Sequence, residues 1–343
     1  MKALVLEAYN KFVFKEVPMP EIQRNEVMVQ VKACGICGSD IHGMDGSTGR
    51  RIPPIIMGHE ASGVIVSKGS EVSGWAEGDR VTFDSTVYPL NDWFTLNGHY
   101  NLSDNREVLG VSPGTYRRHG AFAEYVAVPE HILYKIPDKV SFEEAAMVEP
   151  VAVALHALNI AKVSPGSYCV VIGAGMIGVF VLQVLKLSGI AEIIAIDVSD
   201  AKLENALKCG ATKAFNFNAE NLPESILTLT KGRGADAAFE VVGRDSSFNL
   251  AIDVLRKGGK AILVGNVSPS VNFPLQKVVT RELQLLGSCA IRGEYETVLD
   301  LMQRGMLGVK DQISAVAPLA EGAEWFRRLK DNPEKYNKVI LQP

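Results

Sequence analysis

The chain has 343 residues, 47% of them hydrophobic, with 35 Lys and Arg against 39 Asp and Glu and a formal net charge of −4. That length can bury a large core and suits about two domains, and the mild acidity gives no electrostatic reason to expect nucleic acid or an anionic membrane as a partner. Five cysteines, an odd number in a chain too long to need staples, argue against a disulfide framework and leave the thiols as core residues or chemistry.

The first residues, MKALVLEAYNKF, do not read as a signal peptide, because Glu7 interrupts the apolar run; a cytoplasmic protein is expected. From Met1 to about Val128, short β-branched runs such as Val27 to Val31 and Val64 to Val66 alternate with Gly, Pro, Asn and Asp, the grammar of a strand-rich, barrel-like domain. Within it, ACGICGSDIHG (33–43) places Cys34 and Cys37 three apart, ahead of Ser39 and His42. Alone, that spacing is open to three readings: a redox pair, half of a four-cysteine zinc knot, or one metal ligand with a chance neighbour. Further on, Gly58-His59-Glu60 sets an imidazole beside a carboxylate. Thiolate, imidazole and carboxylate are the ligand types of a catalytic zinc, where three protein ligands leave one position open. The basic pairs Arg50-Arg51 and Arg117-Arg118 read as solvated surface.

From about Val148 to Leu286 apolar strands (169–172, 192–196, 237–241 and 260–264) alternate with amphipathic helical segments, which predicts a parallel sheet with helices on both faces. The apolar stretch from Tyr168 to Leu187 is broken by Gly173, Gly175 and Gly178, which suits a buried strand, turn and helix rather than a bilayer span. These glycines stand in G-x-G-x-x-G order. Gly173 permits the tight turn, Gly175 lets backbone approach a pyrophosphate, and Gly178 allows helix to pack closely on strand, while the helix N-terminus offers free N–H groups to the phosphates. The next strand ends at Asp197, about twenty residues on, where a carboxylate can accept from the adenosine ribose hydroxyls. Its charge repels a 2′-phosphate and Val198-Ser199-Asp200 bring no arginine, so NAD is expected over NADP. The tail carries a helical run, Tyr295 to Gln303, and a final strand over Lys338 to Leu341. No internal repeat is visible.

Taken together and in order, CGICGSDIH, GHEASGVIVSKGSEV, GAFAEYVAVP, FEEAAMVEPVAVALHA and GAGMIG resemble the zinc-type medium-chain alcohol dehydrogenase family over nearly the whole chain, most of all its sorbitol (polyol) dehydrogenase branch, with threonine dehydrogenase close by. The resemblance implies an α/β fold: a β-rich GroES-like catalytic domain (1–149 and 290–343) and a doubly wound Rossmann domain that binds NAD (150–289). It implies a homo-oligomer, tetramer or dimer, and one catalytic zinc per chain. Cys37 matches the cysteine ligand and His59 and Glu60 the His-Glu ligand pair, while Cys34 matches no ligand position. Glu149, in Val-Glu-Pro, falls where polyol-type members have a carboxylate near the metal. Ser39 and His42 match the family's proton relay. Ile177 and Lys202 match NAD contacts, and Val242, Val264, Gly265 and Ser288 fall at strand ends or linkers beside the nicotinamide. The implied reaction transfers a hydride from a secondary alcohol (a polyol, sugar alcohol or sugar acid) to NAD and leaves a ketone, because zinc as a Lewis acid makes a hydroxyl acidic at neutral pH.

The chain also departs from the family. Four cysteines that hold a structural zinc in many members are missing from the lobe Pro89 to Ser103. Burial of Tyr88, Trp93, Phe94 and Tyr100 is expected to hold the lobe instead, with a second ion on Asp92, His99 and Asp104 as a rival. Gly43 follows His42 where sorbitol-type enzymes have Tyr, and the nearest arginine past the second crossover is Arg292, two places beyond the match. The polyol class is therefore expected, but not sorbitol itself. Sugar acids, paired with Arg50, Arg51, Arg117 or Arg118, and amino alcohols such as threonine stay open. A zinc-free reductase and a non-catalytic NAD-binding protein are the readings from other classes, and both predict indifference to chelators.

Overall fold

The computed structural model describes residues 1–111 and 118–343, so Arg117 lies outside the described residues. The chain forms two compact units, Met1–Glu149 with Ile291–Pro343, and Pro150–Ala290. Ala290 thus packs with the second unit.

The second unit is one six-stranded parallel sheet. Its strands, in chain order, are Tyr168–Ile172, Glu192–Asp197, Lys213–Asn216, Ala235–Glu240, Leu255–Leu263 and Gln284–Gly287. They lie in the order third, second, first, fourth, fifth, sixth. The order reverses at the first strand, which leaves a crevice at the carboxyl end of the sheet, the place where doubly wound folds take dinucleotides. The strands read as continuous apolar runs because both sheet faces are covered: Cys169, Val170, Val171 and Ile172 are all buried, as are Ile193 to Ile196. The sequence does not mark the third and sixth strands: each is four residues long and half-exposed, too short and too polar for periodicity to single out.

The first unit is built on the strand Glu26–Gly35. It pairs antiparallel with Glu60–Lys68 on one side and with Lys338–Gln342 at its end, so the last strand of the chain is stitched beside strands from its first third. Val27, Val29 and Val31 alternate into a core shared with Leu4, Leu6, Phe83, Phe122 and Phe326. A three-stranded sheet led by Lys2–Ala8 covers the same core, joined by the bridge Ala3 to Ala123. The helix Tyr295–Gln303 lies where the sequence predicts it. Among the described residues one helical segment, Phe142–Ala161, is long and apolar enough to cross a membrane by length and composition alone, and 67% of its 18-residue apolar window is buried in the protein.

Candidate functional site

Two turns and two strands of the first unit bring a thiol, an imidazole and a carboxylate together. Cys37 ends the strand Glu26–Gly35 two residues on and caps the short helix Gly38–Gly43, its Sγ accepting from the Ser39 N–H at 3.5 Å. His59 and Glu60 stand at the start of the neighbouring strand, which pairs Glu60 with Gly35. Register therefore places both segments side by side. One ligand atom each of Cys37, His59 and Glu60 lies within 4.8 Å of the others, and among the described residues no other group of His, Cys, Asp and Glu converges in this way. One oxygen of Glu60, Oε1, is buried with no hydrogen-bond partner. A borderline-soft divalent cation fits this donor set and would satisfy the orphaned oxygen.

The shell behind these three is charged and buried. Asp40 faces His59 Nδ1 with Oδ1 at 3.5 Å and receives Arg51 Nε at 3.2 Å and Nη2 at 2.8 Å. Burial works against the Asp40 carboxylate, but His59 and Arg51 hold it well below the usual carboxylate range. Burial would likewise lower the His59 pKa, yet Asp40 and the Cys37 sulfur raise it well above the ordinary imidazole value. Arg51 is therefore no solvated surface residue: its guanidinium is 3% exposed, and Nη2 also donates to Ser39 Oγ at 3.2 Å. Ser39 and His42, three residues apart on the same helix, share one face and are both exposed in the unit.

Glu149 stands apart from the trio. The helix Phe142–Ala145 just before it is tied to the strands by Ser62 Oγ, which donates to Phe142 O at 2.6 Å, and by Thr82 Oγ1, which reaches Ala61 O at 2.8 Å and Ala145 O at 3.3 Å. Glu149 is not among the converging ligand atoms. Burial pushes its carboxyl up to about 7; Glu60 adds to the shift, and His59 and Lys338 oppose it.

Cys34 goes elsewhere. Its side chain is wholly buried in the apolar core, with Sγ filling the space over Gly58, where a Cβ would come within 2.8 Å. Burial raises its pKa well above the thiol norm, which keeps it protonated and inert.

In the second unit the glycine turn has the shape its spacing predicts. Gly173 has φ +100°, a Cβ on Gly178 would lie 1.8 Å from Gly173 O, and a Cβ on Gly175 would meet nothing within 4 Å, which leaves an open cradle over the turn. No side chain caps the helix Met176–Leu187, so its first N–H groups are free for a phosphate. Asp197 accepts from Ala174 N at 2.7 Å and Ser199 N at 3.0 Å, fastening the end of the second strand to the turn. Ile177 and Lys202 are half-buried on the first turns of two helices. Val242, Val264 and Gly265 cluster because Glu240 gathers them: its side chain accepts from Val242 N at 2.9 Å, and its carbonyl from Val264 N at 2.9 Å and Gly265 N at 3.0 Å. Ser288 N donates to Leu263 O at 2.9 Å, and Ser288 Oγ has no hydrogen-bond partner.

The lobe is held by polar contacts more than by the four expected aromatics. Tyr88 stacks on Tyr100 with centroids 4.2 Å apart, and Tyr100 OH donates to the buried Asp84 at 2.8 Å and accepts from Gly293 N at 2.8 Å. Trp93, by contrast, is 68% exposed and touches Phe94 edge-on. Asp92 caps the helix Trp93–Leu96 and bonds Ser103, and His99 Nδ1 meets Arg292 Nη1 at 2.6 Å; Asp92, His99 and Asp104 form no metal cluster. Arg118 is ion-paired with Glu26 and Glu107.

Sequence reasoning missed Asp40, Glu240 and Lys338 and misplaced Arg51. Asp40, inside the quoted CGSDIH, was the one with a local signal.

A nucleotide-type parallel sheet joined in one chain to a β-rich unit with a thiol, imidazole and carboxylate cluster defines a metal-dependent dehydrogenase. The comparisons agree. Residues 23–138 match the alcohol dehydrogenase GroES-like domain, and residues 177–304 match the zinc-binding dehydrogenase domain. D-xylulose reductase of Saccharomyces cerevisiae is 33% identical over 99% of this chain and 97% of its own length. Galactitol-1-phosphate dehydrogenase from Escherichia coli superposes with a TM-score of 0.92 at 28% identity, covering 100% of both chains. An Escherichia coli CFT073 protein described as a short chain alcohol dehydrogenase, crystallised with NADH, has a TM-score of 0.92 at 28% identity, covering 100% of this chain and 99% of its own. The chain belongs to the zinc-type medium-chain alcohol dehydrogenase family, in its polyol branch. It is an oxidoreductase of the zinc-binding dehydrogenase type, and its solved neighbours include proteins crystallised with NADH and with NADP.

Proposed function

We propose that this enzyme oxidises a polyol or related secondary alcohol to the ketone with NAD, and that Cys37, His59 and Glu60 hold its catalytic zinc. The observation that carries the reading is the convergence of those three ligand atoms within 4.8 Å, in a chain whose relatives act on D-xylulose and galactitol 1-phosphate. A bound zinc supplies the Lewis acidity that makes an alcohol hydroxyl acidic at neutral pH, and a bound NAD supplies the hydride acceptor.

The chain's own residues do the rest. Asp40, anchored by Arg51, orients the His59 ring and keeps its metal-facing nitrogen basic. Arg51 also donates to Ser39 Oγ, so the serine's own proton stays available; Ser39 takes the proton leaving the substrate and His42, one helical turn on, passes it to water. Glu149, its carboxyl poised near neutrality by burial, holds a proton or a water beside the site. The turn Gly173 to Gly178 would seat the pyrophosphate, Asp197 would meet the adenosine ribose and exclude a 2′-phosphate, Ile177 and Lys202 would contact the adenosine half, and Val242, Val264, Gly265 and Ser288 the nicotinamide half.

The sugar-acid reading loses support, because Arg51 and Arg118 are both engaged in ion pairs; Arg50 is the exposed member of its pair. A homo-oligomer, dimer or tetramer, is supported by the sixth strand, which pairs on one side only among the described residues, and by exposed Leu275 and Val279 on the helix before it. A cytoplasmic location is supported by five free thiols. The test is a panel of polyols, sugar acids and amino alcohols on zinc-loaded protein, followed by NADH absorbance. Turnover of polyols that chelation abolishes and zinc restores is expected; turnover of threonine alone, or turnover indifferent to chelation, would overturn the reading.

A further inference from the structure

Lys338, the first residue of the last strand, reaches into the metal cluster from 278 positions away in the chain. Its Nζ lies 2.5 Å from Glu60 Oε2, with the two side chains 3% and 1% exposed. The contact crosses an intervening strand: Gly35 pairs with Glu60 on one side and with Ile340 on the other. Only glycine leaves the passage open, since a Cβ there would lie 2.4 Å from Glu60 Oε2 and 3.4 Å from Lys338 Cδ. Glu60 is therefore held with one oxygen on an ammonium and the other, Oε1, buried and without a partner. A buried ammonium is costly unless negative charge faces it, and here the Glu60 carboxylate supplies that charge.

We propose that Lys338 is a buried counter-charge: held against one oxygen of Glu60, its ammonium stands in for the cation when zinc is absent, keeping the metal-free unit folded and zinc exchangeable. The inference rests on the ligand assignment proposed above. The electrostatics decide the direction. With zinc present, ammonium and metal repel; with zinc absent, the ammonium is the cation in contact with the buried Glu60 carboxylate. Removing it stabilises the loaded state relative to the empty one.

The test compares wild type with Lys338→Met, Lys338→Gln and Lys338→Arg. Zinc stoichiometry and competition with a chromophoric chelator give the affinity, and urea unfolding with and without zinc gives the stability. All three tryptophans, Trp75, Trp93 and Trp325, lie in the first unit, so their fluorescence reports that unit alone. Lys338→Met and Lys338→Gln are expected to bind one zinc roughly tenfold or more tightly than wild type. Without metal they unfold at lower urea, and zinc restores them. Lys338→Arg behaves as wild type. A side chain that merely fills space would lower stability and affinity together. Neutral variants that bind zinc no more tightly than wild type, or whose metal-free stability is unchanged, overturn this proposal while leaving the ligand assignment intact. Wild type that binds no zinc overturns the ligand assignment and this inference with it. Should Lys338→Met fail to fold, Lys338→Gln, which keeps a hydrogen-bond donor without the charge, carries the affinity comparison.

Discussion

Tyr100→Phe removes one oxygen from the lobe and nothing else, so it measures what holds a segment that lacks the family's four cysteines. The phenol donates to Asp84 Oδ2 and accepts from Gly293 N, each at 2.8 Å, while the ring stacks on Tyr88. Phenylalanine keeps the stack and forfeits both hydrogen bonds. A hydrogen bond to a charged group is worth about 1.5 to 3 kcal/mol and a neutral one about 1 kcal/mol, so the expected loss is about 3 kcal/mol. The loss also depends on pH. Burial lifts the Asp84 carboxyl to about 6, and the Thr86 N–H and the Tyr100 hydroxyl pull against that rise. A carboxyl whose folded pKa exceeds its unfolded value binds more protons in the native state, so stability falls as pH climbs through the folded pKa. Without the phenol the folded pKa rises further, and the variant is penalised more at about pH 8 than at about pH 5. Urea unfolding of zinc-loaded protein, read by tryptophan fluorescence, checks both points. A loss under about 1 kcal/mol at the higher pH, or one larger at the lower pH, would refute the polar-latch account of the lobe.

Two substitutions separate the cysteines: Cys37→Ala is expected to lose zinc and turnover, and Cys34→Ala to keep both at a cost of about 1 kcal/mol for the small core void. Metal analysis decides, and equal zinc loss from the two would sink the distinction. Asp197→Ala removes both the ribose acceptor and the strap on the glycine turn, so the KM for NAD should rise about tenfold or more while the preference over NADP narrows; an unchanged ratio of kcat/KM values for the two cofactors would count against Asp197 as the discriminator.

The parts of the molecule that were legible in sequence are those whose chemistry is local. The turn Gly173 to Gly178 is six residues whose backbone demands can be read directly, because only glycine accepts φ +100° at Gly173 or a carbonyl 1.8 Å from its Cβ position at Gly178. Apolar runs such as Cys169 to Ile172 likewise announce strands buried on both faces. The pair His59 and Glu60 was visible as donor types, and the family resemblance joined it to Cys37. The lobe was legible only in part: Tyr88 and Tyr100 do stack, but Trp93 turns outward, since nothing in an aromatic's identity says which way its loop faces.

The charged shell lay beyond the reach of sequence. Arg51 reads as half of a solvated basic pair until Asp40 is found 2.8 Å from it, and Lys338 reads as the polar start of a tail strand until Gly35 is seen to leave a passage to Glu60. Composition, periodicity and short-range spacing by themselves determined two units, a parallel dinucleotide sheet and the ligand types of a metal centre, because those properties depend on neighbours within a few residues. Tertiary structure alone decided which charges are buried together: the pairing of the last strand with Glu26–Gly35 sets the Lys338–Glu60 distance, the loop after the helix Gly38–Gly43 folds Arg51 back on Asp40, and each buried ion is tolerable only beside its partner.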